Sequence, residues 1–220
     1  MVTKDKEQGF FGSIALSHKV MAAIQAMGFE EPSPIQSRTI PPIMEGNDVI
    51  GQAQTGTGKT AAFGIPIVEK VQDTRHVQAL IMTPTRELAL QVSEEIAKIG
   101  QFKRIKTLPV YGGQSIDRQI RALRFGVQIV IGTPGRLLDH IRRGTIKLDL
   151  VQTLVLDEAD EMLDMGFIDD IETIMENIPR EGRQTLLFSA TMPQQIRALA
   201  DRYMNKPVFV TVSKEQLTVP

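Results

Sequence analysis

The chain contains no cysteine and no tryptophan, and its aromatics are nine Phe and two Tyr. Without cysteine there is no disulfide frame, no zinc ribbon and no thiol nucleophile. The three histidines, His18, His76 and His140, are scattered and show no metal-ligand spacing. No apolar run approaches the roughly 18 residues of a membrane span, and Met1-Val2-Thr3-Lys4-Asp5-Lys6 leads into no apolar stretch of the secretory type. The default expectation is a soluble, cytoplasmic protein with no membrane role. The scarcity of aromatics argues against a base-stacking platform. Net charge is also nearly absent, with 25 Lys+Arg against 26 Asp+Glu, net −1. That balance excludes a histone-like or polybasic protein but leaves room for local patches.

What the chain does have is 220 residues, 42% of them hydrophobic, enough for one domain with a sizeable core. Its charge is segregated. Segment 100–147 holds ten Lys/Arg against two acids, net +8, and segment 157–182 holds ten acids against Arg180, net −9. Most of these residues read as solvated helix faces. A basic face for a polyanion and an acidic cluster containing a cation site are the sharper alternative, and charge alone does not choose.

Apolar, β-branched runs recur at 48–51, 77–83, 107–110, 127–132, 153–156, 185–188 and 208–212. Nearly continuous apolar interiors predict parallel strands covered on both faces. Helical segments are expected between them at 59–71, 86–99, 114–124, 134–143, 167–177 and 193–204, with two more ahead of the sheet near 17–27 and 34–44. This alternation predicts an α/β fold, a mostly parallel sheet of about seven strands with helices on both faces. There is no Ser/Gly linker and no short-period repeat, so 1–220 reads as a single domain. In such sheets ligands bind beyond the carboxyl ends of the strands.

After the first strand comes Ala53-Gln54-Thr55-Gly56-Thr57-Gly58-Lys59-Thr60. Glycines at 56 and 58 let successive N–H groups converge on an anion, and the following helix adds its positive end. Lys59 would reach the β- and γ-phosphates of a nucleotide and the Thr60 hydroxyl would ligate Mg²⁺. Ala53 stands where the general motif has Gly, which is tolerable if it keeps negative φ. After the fifth strand comes Asp157-Glu158-Ala159-Asp160. Asp157 would hold Mg²⁺ through water, and Glu158 would polarise an attacking water. Asp160 could anchor a neighbouring loop. Ser189-Ala190-Thr191 after the sixth strand could relay the nucleotide state. Pro84-Thr85-Arg86, Gly112-Gly113 and Thr133-Pro134-Gly135-Arg136 are anion-friendly strand ends that suggest a track of phosphates read through the backbone.

Taken jointly and in order, these motifs resemble the first RecA-like domain of the DEAD-box ATP-dependent RNA helicases over about residues 10–212. The set also includes Gly28-Phe29-Glu30-Glu31-Pro32-Ser33-Pro34-Ile35-Gln36, with Phe11 lying 17 positions before Gly28. The resemblance implies a Q-motif region at 10–36, with Gln36 reading the adenine edge and Phe29 packing on the base. Phe11, Gln54, Thr55, Gly56, Thr57, Gly58, Lys59 and Thr60 complete the ATP contacts. It implies that Thr83, Pro84, Arg86, Gly113, Thr133 and Arg136 lie along an RNA backbone, and that Ser189 and Thr191 couple ATP state to strand separation through Asp160. It also implies a second RecA-like domain carrying arginine fingers. No HRxGRxGR-type segment is found in this chain. The expected state is a monomer that binds nucleotide weakly and hydrolyses it negligibly alone. A different P-loop nucleic-acid ATPase and a non-catalytic binding module are the competing readings.

Overall fold

In the computed structural model, residues 8–213 are described. The chain opens with a hairpin, β1 (Gln8–Phe11) and β2 (Ile14–Ser17), followed by α1 (His18–Ala26) and α2 (Pro34–Met44). The rest is strand–helix repeated: β3 (Val49–Gln52), α3 (Lys59–Lys70), β4 (Ala79–Met82), α4 (Arg86–Ile99), β5 (Thr107–Val110), α5 (Ile116–Phe125), β6 (Ile129–Gly132) and α6 (Pro134–Arg143). It ends with β7 (Thr153–Asp157), α7 (Ala159–Asp164), α8 (Ile168–Glu176), β8 (Gln184–Ser189), α9 (Gln194–Tyr203) and β9 (Val208–Thr211). The seven strands β3–β9 form one sheet in the order β5-β6-β4-β7-β8-β3-β9, and every pairing in it is parallel.

The apolar runs of β6, β4, β7, β8 and β3 become central strands, with neighbours on both edges and helices packed on the faces, while β5 and β9 close the two edges of the sheet. Alternate residues of a strand feed opposite layers. Val155 packs with α1–α4 on one face, while Leu154 and Leu156 pack with α6–α9 on the other. Phe188 on β8 is fully buried, its ring 5.4 Å from that of Phe63 on α3. A Cβ on Gly51 would stand 2.6 Å from the Phe188 ring, so glycine there is what lets β3 lie under it.

The expected sheet and eight of the nine helices match, with ends shifted by a residue or two. The differences have physical causes. Asp48 lies outside β3 because its carboxylate is occupied elsewhere, accepting from the backbone N–H of Thr185 and of Asn205 at 2.9 and 2.7 Å. Helix α5 starts at Ile116 rather than 114 because the Gln114 carbonyl accepts from Arg136 Nη1 at 3.0 Å. The hairpin β1–β2 and the short α7 were not anticipated. One of the segment 100–147 cations is structural: Lys103 Nζ caps the last carbonyls of α3, those of Val68, Glu69 and Val71.

Parallel register sets the site. Val110, Gly132, Met82 and Leu156 align across β5, β6, β4 and β7, and Asp157 aligns with Phe188, itself opposite Gly51. All the loops singled out in the sequence therefore leave from one sheet edge. Phe188→Ala should destabilise the chain by about 3–5 kcal/mol, read as a lower urea midpoint with unchanged slope.

Candidate functional site

The loop between β3 and α3 curls as its glycines allow, with φ of 77° at Gly56 and 88° at Gly58. Ala53 is absent from the positive-φ residues, so it keeps the negative φ the loop requires, and its N–H donates to the Ser189 carbonyl at 3.1 Å. Lys59 is only 6% exposed. Its ammonium donates to the Ala53 carbonyl at 3.1 Å and lies 3.6 Å from Glu158 Oε1. The Thr57 hydroxyl donates to the Gln54 carbonyl at 2.8 Å, bracing the turn, while Gln54, Thr55 and Gly56 face solvent. A cavity of about 300 Å³ is lined by Thr55, Gly56, Lys59, Thr60, Asp157 and Glu158, with α4 on its far wall.

Asp157 ends β7 fully buried, and its Oδ1 has no hydrogen-bond partner. Burial pushes the Asp157 carboxyl up to about 7, against the pull of Lys59. An ionised carboxylate left this way needs a cation or a proton. With the Thr60 hydroxyl on the same cavity, this oxygen-only donor set fits Mg²⁺. Glu158 sits at φ 54°, ψ 50°, in the left-handed region. That conformation costs a non-glycine residue about 1–2 kcal/mol. It turns the Glu158 carboxylate back toward Lys59 instead of out along α7.

β8, which lies between β7 and β3, ends in Ser189, and Thr191 follows just beyond it. Asp160 Oδ2 accepts from the Thr191 N–H at 3.1 Å and from its hydroxyl at 2.9 Å, and the Asp160 N–H donates to Ser189 Oγ at 3.1 Å. Burial alone would raise the Asp160 carboxyl, but these bonds outweigh it and hold it below the usual range. The grouping of Asp160, Ser189 and Thr191 expected from sequence is thus present as a bonded cluster.

At the edge of the loop, Gln36 is 5% exposed. Its Oε1 accepts from the Ser33 N–H at 2.9 Å and its Nε2 donates to the Gly58 carbonyl at 3.1 Å. The Ser33 hydroxyl donates to the Thr57 carbonyl at 2.8 Å. The Gln36 amide thus ties Ser33 to Gly58 and keeps a second N–H and a second oxygen lone pair for a further partner. Phe11 is fully buried, stacked 6.5 Å from Phe29 at 22°, so it backs Phe29 and does not itself reach a ligand. Phe29 lines a second cavity of about 360 Å³ with Met27, Gln91, Glu94, Glu95 and Lys98.

The other half of the edge presents Arg86, Gly113, Thr133 and Arg136. Arg86 is exposed, with its guanidinium 4.9 Å from the Tyr111 ring centroid. Gly113 is exposed at φ 81°. Thr83 is fully buried and Pro84 is buried as well. Both side chains therefore pack beneath the turn that carries Arg86, and what that turn offers at the surface is its backbone and the Arg86 guanidinium.

Sequence reasoning missed Ser33 and Glu95. The signal for Ser33 was legible: Ser-x-x-Gln ahead of an apolar helix is a capping-box pattern. Glu95 lines both cavities, and burial raises its carboxyl. No local pattern marks it, because only α4 packing brings it there.

Fold and site together define a parallel α/β domain with a glycine-loop cavity at the carboxyl-end edge of its sheet, a class that the comparisons narrow to a family. A family model for the DEAD/DEAH box helicases matches residues 33–199, and the chain belongs to that family. It is 62% identical over 211 residues to the DEAD-box ATP-dependent RNA helicase CshA of Geobacillus kaustophilus, covering 96% of this chain and 45% of that protein. Against CshA of Bacillus subtilis the figures are 61%, 95% and 42%. The crystal structure of a DEAD box protein from Methanococcus jannaschii superposes with TM-score 0.89 at 45% identity, covering 94% of this chain and 56% of that one. The α/β fold is thus the RecA-like fold of DEAD-box proteins, and the chain spans less than half the length of these curated relatives. No helix among the described residues is long and apolar enough to cross a membrane.

The orphaned carboxylate makes a prediction about the ligand-free protein. Its folded-state pKa near 7 exceeds the ordinary carboxylate value, so ionisation costs stability progressively as pH rises from about 4 to 7. Asp157→Asn should therefore raise stability by about 1–3 kcal/mol at pH 8 and much less at pH 4, measured by urea denaturation at both values.

Proposed function

We propose that this chain is the ATP- and RNA-binding N-terminal RecA-like domain of a cytoplasmic DEAD-box RNA helicase. In the two-domain parent, ATP hydrolysis would drive local opening of RNA duplexes. The observation that carries the reading is the buried, unpartnered Asp157 Oδ1 on the same small cavity as Lys59 and the 53–60 loop. Structural carboxylates are hydrogen-bonded, and one left bare beside a glycine nest calls for a metal–phosphate ligand.

In this reading Lys59 exchanges the Ala53 carbonyl for the β- and γ-phosphates, and the loop N–H groups cradle the anion. Thr60 and Asp157 would hold Mg²⁺, which would supply positive charge to offset that developing on the phosphates. Glu158, preset toward the cavity by its left-handed backbone, orients the attacking water and accepts its proton. Phe29 meets the base and Gln36 offers its second N–H and lone pair to the base edge, so that adenine recognition and loop shape share one amide. Asp160, Ser189 and Thr191 pass the state of this cavity to the surface that faces the second domain. Arg86, Gly113, Thr133 and Arg136 hold the RNA backbone.

Hydrolysis by this chain alone should be negligible. A DEAD-box partner domain supplies arginine fingers, each worth about 10³–10⁵ in rate in related enzymes. The chain works as a monomer joined to that domain.

A titration with a fluorescent adenosine diphosphate, with and without Mg²⁺, tests the reading. Binding should strengthen with Mg²⁺, and Lys59→Ala should weaken it about 10- to 100-fold while far-UV circular dichroism stays unchanged. Binding that ignores both the ion and the substitution would refute it. For single-stranded RNA, about four neutralised phosphates predict that log K falls with log salt at a slope near −3. A slope near zero would remove the phosphate track.

A further inference from the structure

A buried amide lies beneath the three strand ends assigned above to RNA. Gln119 on α5 is 1% exposed and His140 on α6 is fully buried. Gln119 Oε1 accepts from His140 Nε2 at 2.8 Å and from Arg136 Nη1 at 3.3 Å. Gln119 Nε2 donates to the Tyr111 carbonyl at 3.1 Å and to Gln114 Oε1 at 2.9 Å. All four hydrogen-bonding positions of the amide are therefore filled. Because Gln119 Oε1 can only accept, His140 carries its proton on Nε2, and its Nδ1 lies 2.8 Å from the Thr145 hydroxyl.

Three of the four partners belong to ligand-facing loops rather than to the core. Tyr111 and Gln114 bracket the Gly112–Gly113 pair after β5, and Arg136 opens α6 after β6. Arg136 Nη1 is spent on Gln119 and on the Gln114 carbonyl. Among the described residues Arg136 has no carboxylate partner and its remaining N–H groups make no hydrogen bond. The Tyr111 ring in turn sits against Arg86 from the end of β4.

We propose that Gln119 and His140 are positioning residues: the pair fixes the 111–114 loop and the Arg136 guanidinium in one register, so that both meet successive phosphates of an RNA strand. His140 holds the Gln119 carbonyl turned toward Arg136, and Gln119 transmits that orientation to the loop. The inference rests on the phosphate-track reading of Arg86, Gly113 and Arg136, and goes beyond it by naming what aims them.

The test is a double-mutant cycle on the full chain, read by the binding of a fluorescently labelled uridine oligonucleotide at low salt. Arg136→Ala should weaken binding about tenfold and make the salt slope shallower by about 0.7. Gln119→Leu should cost nearly as much, and adding Arg136→Ala to it should cost little more, since the guanidinium is already misdirected. Affinity for fluorescent adenosine diphosphate should stay at the parent value throughout, which a general loss of folding would not allow. His140→Leu should reproduce the RNA defect, and His140→Gln, which keeps a donor near the Nε2 position, should restore binding. These two variants serve if Gln119→Leu fails to fold. Additive losses, or parent-like RNA binding by Gln119→Leu or His140→Leu when Arg136→Ala is defective, would overturn the positioning role alone. An Arg136→Ala chain that binds as the parent does would overturn the phosphate track beneath it.

Discussion

The structure depends on one constraint: all seven strands of the main sheet run the same way. Parallel strands need crossover helices, and those helices bury both faces of the sheet. The faces are then closed to ligands, and the carboxyl-end edge is where chemistry can be placed. With neighbouring strands about 4.8 Å apart, the five steps from β5 to β3 spread the loops over about 24 Å. The order β5-β6-β4-β7-β8-β3 divides this edge into two halves. Loops after β3 and β7 build the cavity, the ends of β4 and β6 lead into Arg86 and Arg136 with the glycine pair after β5 beside them, and β7 stands where the halves meet. Asp157, Glu158 and Asp160 leave from that central strand, so a change of charge in the cavity is felt next to the cation-bearing half without any long path.

Within the cavity half, the ligand-free chain satisfies its groups with one another. Lys59 takes the Ala53 carbonyl and leans on Glu158, Gln36 takes Gly58, and Ser33 takes Thr57. In the proposed reading, nucleotide binding exchanges such partners, Lys59 giving up the Ala53 carbonyl for phosphate. Asp157 is the exception, with no replacement partner, and its cost is what makes a cation at that point favourable. The left-handed backbone at Glu158 adds local strain, held in place by the buried end of β7 and by α7.

Much of this was legible from sequence because it is local. Glycine spacing foretold the 53–60 loop, apolar runs foretold the sheet, and helix starts such as Thr85 and Pro134 followed from capping rules. Joint motif order supplied the family. What stayed hidden was set by packing between distant segments. The motif pattern does not tell that the Phe11 ring is buried behind Phe29 or that the Thr83 side chain is buried just after β4. The hairpin at 8–17 escaped because two four-residue strands give too short an alternation to read. Gln119 and His140 escaped because a lone Gln and a lone His carry no pattern until α5 and α6 bring them within 2.8 Å.

Charge segregation illustrates the same divide. The acidic stretch 157–182 is not one feature. Asp157, Glu158 and Asp160 face the carboxyl-end edge, whereas Glu172 and Glu176 on α8 meet Arg202 of α9 on a helical face away from it. The basic stretch 100–147 splits likewise: Lys103 caps α3, Arg143 pairs with Asp139 one helical turn away, and Arg136 alone joins the network at the edge. Summed charge therefore says little about partners here. What matters is which charges a strand end delivers without an ion-pair partner, and among the described residues those include the buried carboxylate that ends β7 and the guanidinium after β6. One calls for a cation and the other for an anion, and a phosphate-bearing ligand with its metal at one end of the edge and a phosphate backbone at the other meets both demands.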